Sequence, residues 1–342
     1  MFNIYEESGY LDMNRIINLP TPFIFMIGGR GIGKSYGAIK YVIDNDIKFM
    51  LSRRTQTQAD LIGVPEFSPL KPVCDDMGIM YDTKPIVKQC SGIYLVDPQT
   101  EEHELIGFTS AVSTLSNIRG FDSSAVKVWI YDEFIPERHE RTLRFEGDGF
   151  LNAYETINRN RELKGQPALK AICISNSNDI VSPVLDVLNL VPIVEKMQNK
   201  KQEIYINQNR GITIILPHDS PISEMKKDTA LYRAVSADSR FVKMALGNEF
   251  ENETCIESKN LSEYKLLVSV GDIHIYHHKS NYTYYISRHK TGTAPKYGTD
   301  PTSKIQFRAA YRQLQSAYIT GKISFENINI KRQFEEIFLI KY

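Results

Sequence analysis

The first half of the chain alternates short apolar runs with stretches of helical spacing. Phe23-Ile24-Phe25-Met26-Ile27 is an apolar run that ends in glycines. From Ser35 to Asp44 the apolar residues Tyr36, Ile39, Val42 and Ile43 recur three to four positions apart, as on one helix face. Phe49-Met50-Leu51 is a second run, closed by Arg53 and Arg54, and residues 126–131 and 171–174 are two more. Runs that are apolar at consecutive positions predict strands buried on both faces. Helices between them predict a parallel sheet covered on both sides, an α/β domain.

Beyond about residue 195 the pattern changes. Residues 197–210 are polar and rich in Asn, Gln and Lys, residues 212–216 read as a lone strand closed by Pro217, and residues 219–237 mix Ser, Pro and Lys with helical signals. Strands are then expected at 241–246, 266–270, 273–277 and 282–287, followed by helices at 303–319 and 328–340. The expected division is an α/β domain over 1–197, a connector over 198–235 and a small α+β domain over 236–342. There is no internal repeat and no low-complexity tract.

The 342 residues are enough for roughly two domains. Lys+Arg and Asp+Glu are both 41. Zero net charge weighs against a static nucleic-acid binder, but not against a motor whose basic residues line one channel. Cys74, Cys90, Cys173 and Cys255 form no C-x-x-C pair, which argues against zinc and for a reducing compartment. With no signal-like start and no apolar run of the ~18 residues a membrane helix needs, a cytoplasmic protein without a membrane role is expected.

Gly28-Gly29-Arg30-Gly31-Ile32-Gly33-Lys34-Ser35 fits the Walker A pattern G-x-x-x-x-G-K-[ST], with an apolar strand before it and a helical pattern after. The glycines let main chain wrap a phosphate closely, and the main-chain N–H groups and the helix N-terminus bind the anion. Lys34 is expected to bridge the outer phosphates and Ser35 to hold Mg²⁺. Arg30 is divided between a phosphate or neighbour contact and a plain surface arginine.

Val128-Trp129-Ile130-Tyr131-Asp132-Glu133 is an apolar strand ending in two acids, a Walker B pattern. Successive residues at a strand end point different ways, so Asp132 can hold Mg²⁺ while Glu133 orients the attacking water and takes its proton. A strand-end Glu points by association to ATPases that do mechanical work, hence to ATP. Ile172-Cys173-Ile174-Ser175-Asn176 is a third strand tip, where Ser175 or Asn176 either senses the last phosphate or caps a turn. Arg159 and Arg161 follow a helix expected from Leu151, Arg119 precedes the acidic strand, and Arg53 and Arg54 end the second strand near the phosphate loop. Each is readable as a functional cation, or as a helix-end or surface charge.

Together these segments resemble the DNA-encapsidation ATPases of small protein-primed tailed phages, distant relatives of large terminases. They are Ile27 to Tyr36, the Arg53-Arg54 pair, Tyr131-Asp132-Glu133-Phe134-Ile135, Arg159-Asn160-Arg161-Glu162 and Ile172 to Asn176 with Asn189-Leu190-Val191-Pro192. The match runs through most of residues 20–195 and is thinner after that, including Asp238-Ser239-Arg240-Phe241-Val242 and the last helices. The resemblance implies an ASCE-type P-loop domain and a ribonuclease-H-like domain that has lost its nuclease acids. It implies a homomeric ring, a pentamer, at the portal of a procapsid in the host cytoplasm, driving double-stranded DNA through its pore with ATP and Mg²⁺. Carried over onto matching positions, Arg159 is the trans-acting finger and Arg119 a basic residue at the subunit interface; from their places at the loop and strand tips, Arg30, Arg53 and Asn176 are expected as nucleotide contacts, and Arg161 beside Arg159 as a further interface residue. Whether an RNA adaptor joins the ring to the portal stays open. After the arginine pair this chain carries Thr55-Gln56-Thr57, less basic than a DNA-facing loop. The rival readings are a terminase with an active nuclease, a helicase, and an adaptor with a dead nucleotide site. Lys34, Ser35, Asp132 and Glu133 argue against the dead site.

Overall fold

The computed structural model describes residues 3–115, 122–136, 140, 143, 145–176, 182–218, 220–235, 242, 246 and 256–338. The chain forms two compact units, Met1–Phe250 and Glu251–Tyr342.

In the first unit the apolar runs become β1 (Phe23–Gly28), β2 (Phe49–Arg53), β6 (Val128–Asp132) and β7 (Lys170–Asn176). Three strands that lack such a run, β3 (Met80–Val87), β4 (Cys90–Val96) and β5 (His103–Ala111), form an antiparallel meander. Two more, β8 (Ile204–Asn207) and β9 (Ile212–Ile215), pair antiparallel. All nine make one sheet in the order β3-β4-β5-β2-β6-β7-β1-β9-β8. Its six central strands, from β5 to β9, run parallel, so the fold is α/β with a large mixed sheet. The strand at 212–216 is therefore not alone: β9 pairs β1 in register from Phe23 opposite Ile212. Residues 204–215, expected in a separate connector, extend this sheet.

Alternation along the central strands feeds two cores. Ile24, Met26, Val128 and Ile130 face the helix Lys34–Asp44 side, with Ala38, Ile39 and Val42. Phe25, Trp129 and Tyr131 meet the helix Glu146–Asn158 through Phe150, whose ring stacks 5.2 Å from Trp129. Covered on both faces, β1 and β6 are buried almost throughout, which fixes the strand tips that carry the polar residues.

The second unit is a five-stranded sheet in the order β13-β10-β11-β12-β14: β10 (Tyr264–Val270), β11 (Ile273–His278) and β12 (Tyr284–Ser287) are an antiparallel meander. The short β13 (Lys296–Tyr297) and β14 (Ile323–Phe325) lie parallel at its edges. The helix expected at 303–319 is two, Pro301–Ala310 and Arg312–Ile319. Tyr311 breaks it with a non-helical backbone while its ring stacks on Phe307 at 5.3 Å. The strand expected at 241–246 lies mostly outside the described residues, and the two that are described, Val242 and Leu246, are helical.

Candidate functional site

The site forms where β1, β7, β6 and β2 end on one rim of the sheet. After β1 the chain turns through Gly31 (φ 69°) and Gly33 (φ 89°), both in the left-handed region that favours glycine. Gly33 then caps the helix Lys34–Asp44 with no side-chain hydrogen bond, leaving the helix N-terminus open to an anion. Lys34 is 5 % exposed, and its Nζ donates to the Gly28 and Gly29 carbonyls at 3.0 and 2.6 Å and to Asn176 Oδ1 at 3.3 Å. Burial pushes the Lys34 ammonium down to about 7. Asp132 opposes this, while the charges of Lys226 and Arg30 add to it.

β7 lies between β1 and β6 in the sheet, so Asn176 stands between the loop and the acidic tip. Across that strand Ser35 Oγ donates to Asp132 Oδ1 at 2.9 Å. A hydroxyl and a carboxylate thus meet beside the loop, a hard-oxygen pair that suits Mg²⁺, which takes one or two protein oxygens and fills its shell with water and phosphate oxygens. Among the described residues no group of three or more His, Cys, Asp or Glu could hold a metal ion by itself. Glu133 follows with φ 57°, a left-handed turn that is costly for a non-glycine residue and is held by the buried Phe134 and Ile135 behind it. Asp132 therefore points inward at 3 % exposure, while the Glu133 side chain is nearly half exposed.

Arg53, expected as a nucleotide contact, joins both acids: it pairs with Asp132 Oδ2 at 2.9 Å and with the Glu133 carboxylate. Its neighbour Arg54 is 2 % exposed and points the other way, into Glu146 at 2.6 Å and Glu140 at 2.7 Å. Such a buried pair is costly to break, and it fastens β2 to the helix Glu146–Asn158.

Arg30 is exposed, and its carbonyl accepts from Lys226 Nζ. Arg159 ends the helix Glu146–Asn158 in a left-handed conformation at φ 46°, half-buried. Arg161 was expected at a subunit interface, but it is 7 % exposed and donates to the carbonyls of Ser124, at 2.6 Å, and Val126. It braces the entry to β6. Arg119 lies outside the described residues.

One part of the site has no counterpart in the motifs. A cavity of about 770 Å³ opens beside the loop, lined by Tyr10, Met13, Gly33, Tyr36 and Asp76 among others. The Tyr10 ring covers Gly33, where a Cβ would stand 3.2 Å away, and Met13 fills the space a Cβ at Gly37 would need. Tyr36 donates its hydroxyl to Asp76 at 2.9 Å. A glycine inside an otherwise helical pattern, Gly37, was the signal that another segment approaches there.

A family profile described as "Podovirus DNA encapsidation protein (Gp16)" matches residues 3–341. The DNA packaging protein of Bacillus phage phi29 is 24% identical to this chain, covering 98% of it and 96% of the relative. The DNA packaging protein of Bacillus phage B103 is 27% identical over 71% of this chain and 67% of that relative. A chain of the bacteriophage phi-29 viral genome packaging motor assembly superposes with a TM-score of 0.67 at 20% identity, over 98% of this chain and 99% of that one.

Proposed function

The chain belongs to the podovirus DNA encapsidation protein (Gp16) family, and from that membership we propose that it is an ATP-hydrolysing subunit of a viral DNA-packaging motor. The observation that carries this reading is the Ser35–Asp132 hydrogen bond, which ties the phosphate loop to the acidic strand tip across β7. Two sequence-distant motifs meet there in the arrangement phosphoryl transfer requires.

The nucleoside enters the cavity beside Tyr10 and Tyr36, and the phosphates lie on the loop. Lys34 turns from the Gly28 and Gly29 carbonyls toward phosphate oxygens, whose negative charge favours its ammonium form. Ser35 and Asp132 would hold Mg²⁺, which would supply neutralisation of phosphate charge. Glu133 orients the attacking water and accepts its proton. To do so it must leave Arg53. A phosphate that draws the guanidinium away frees the base, so hydrolysis waits for nucleotide. Asn176, against Lys34, registers the change at the tip of β7.

The relatives are named as DNA packaging proteins, and the reading extends to a homomeric ring at a procapsid portal, acting on double-stranded DNA inside the host. Arg159 is the cation offered to a neighbour's site, Arg119 is a basic residue at the subunit interface, and the segment from 236 to 342 handles DNA. The test is ATP turnover by purified chain with and without duplex DNA. Turnover stimulated by duplex without strand separation or cutting is expected. Unwinding indicates a helicase, and metal-dependent cutting indicates an active terminase. Arg159→Ala, inactive alone, should regain turnover in mixed assemblies with Lys34→Ala, because a ring site takes parts from two chains. Mixtures as dead as either variant remove the trans role.

A further inference from the structure

β9 runs parallel to β1 beside it, so the chain leaving β9 emerges at the phosphate-loop end of the sheet. Pro217 is in close contact there: a Cβ at Gly28 would stand 3.1 Å from its ring. The short helix Pro221–Lys226 follows, seated through buried Ile222 and Ser223 and through Pro221, 2.9 Å from where a Cβ on Gly9 would be. Its last residue sends its ammonium onto the loop. Lys226 Nζ donates to the Arg30 carbonyl, and a Cβ at Gly31 would collide with the same nitrogen. Gly31 is needed for its left-handed turn at φ 69°, and the lysine end lies directly against it.

The adjacent Lys227 behaves differently. It is exposed and pairs with Glu224 at 2.6 Å. Lys226 is half-buried, and the structure sets no carboxylate against it among the described residues. Its charge bears on Lys34 together with that of Arg30, and Asp132 is the charge that opposes them. Lys34 and Lys226 both set their ammonium groups on carbonyls of the glycine loop, and the acids beside it, Asp132 and Glu133, are already engaged by Arg53, an arrangement that suits a bound polyanion.

We infer that Lys226 is a further nucleotide-phosphate ligand, reaching a di- or triphosphate from outside the Walker A motif and tying the segment after β9 to nucleotide occupancy. The inference rests on the nucleotide reading of the loop given above. Because the contact is made to bound and reacting nucleotide alike, its loss raises KM and leaves kcat. A charge-assisted hydrogen bond to phosphate corresponds to roughly tenfold or more in affinity.

The experiment is equilibrium binding of fluorescent ATP and ADP to the full chain, with steady-state turnover, for wild type, Lys226→Ala, Lys226→Arg and Lys227→Ala. Melting curves confirm that each variant folds. Lys226→Ala should weaken both nucleotides roughly tenfold and raise KM by a similar factor at unchanged kcat. Lys226→Arg should recover most of the affinity, and Lys227→Ala should match wild type. In the wild type, ATP should slow amide exchange over residues 222–226, and in Lys226→Ala it should not. A folded Lys226→Ala that binds ATP as wild type does, or an equal loss in Lys227→Ala, overturns the inference and leaves the nucleotide reading standing. Wild-type chain that binds no nucleotide removes both.

Discussion

The two sheets of this protein hold their polar groups in opposite ways. In the first unit six neighbouring strands run parallel, so their carboxyl ends share a rim, and Gly28, Arg53, Asp132 and Asn176 all stand on it. In the second unit β10, β11 and β12 run antiparallel, so successive turns fall at opposite ends of the sheet. Its polar side chains are spent on bracing. The Glu326 carboxylate accepts from Ser287 Oγ at 2.7 Å and from the Arg288 amide at 2.9 Å, and the Tyr276 hydroxyl donates to the His289 carbonyl at 2.6 Å. A parallel sheet gathers distant residues into one reaction site by topology alone, whereas a meander gathers a core.

The sharpest way to test that contrast is to remove chemistry from the rim without touching its packing. Glu133→Gln keeps the size of the side chain and removes the base. Turnover should fall by about two to four orders of magnitude, the usual contribution of a general base, while ATP affinity and the melting temperature hold. A variant that still turns over within tenfold of wild type would show that the rim works without its second acid.

The complementary change removes packing without chemistry. Phe334 is fully buried among Phe325, Tyr318 and Phe338, with ring centroids 5.6, 5.7 and 4.7 Å away. Phe334→Ala should cost about 3–5 kcal/mol of second-unit stability. Calorimetry should show an early transition, while ATP affinity stays as in wild type. A loss of nucleotide binding in step with that transition would mean that the two sheets do not act as separate compact units.

Chemistry that needs consecutive residues was legible in the sequence. The glycine loop into Lys34-Ser35, and the apolar run into Asp132-Glu133, each declare themselves within a few positions because a phosphate cradle and a strand tip are local objects. Arg53 and Arg54 show where that stops. Both were visible as a pair, but neighbours on a strand face opposite ways, and which one meets the acids depends on Glu140 and Glu146 waiting behind the other. Tyr10 and Lys226 carry no motif at all. They reach the loop because an N-terminal segment and the chain after β9 are delivered there by the fold. β3 escaped for a related reason: it is an exposed edge strand, and its polar and apolar residues never make the continuous run that a buried strand needs. The break at Tyr311, whose backbone leaves the helical region while its ring still meets Phe307 four residues back, has no proline or glycine to mark it in the sequence.

The smallest effect separates the sheets by pH. Asp300 caps the helix Pro301–Ala310, its carboxylate accepting from the Ser303 amide at 3.0 Å. The Ser303 hydroxyl and amide hold its carboxyl below the usual carboxylate range. A group whose folded pKa is depressed stabilises above its unfolded value, about 4, and loses that contribution as pH falls through the folded value. Asp300→Ala should therefore lower the second-unit melting temperature by a few degrees at neutral pH and by less near pH 3, where the wild-type cap is itself weakened. Asp300→Asn keeps a cap that does not titrate, so its melting temperature should lie near wild type at neutral pH and fall less steeply under acid. An acid sensitivity in Asp300→Asn equal to that of wild type would assign the titration to another carboxylate. A shift in the first-unit transition would show that this cap reaches beyond its own sheet.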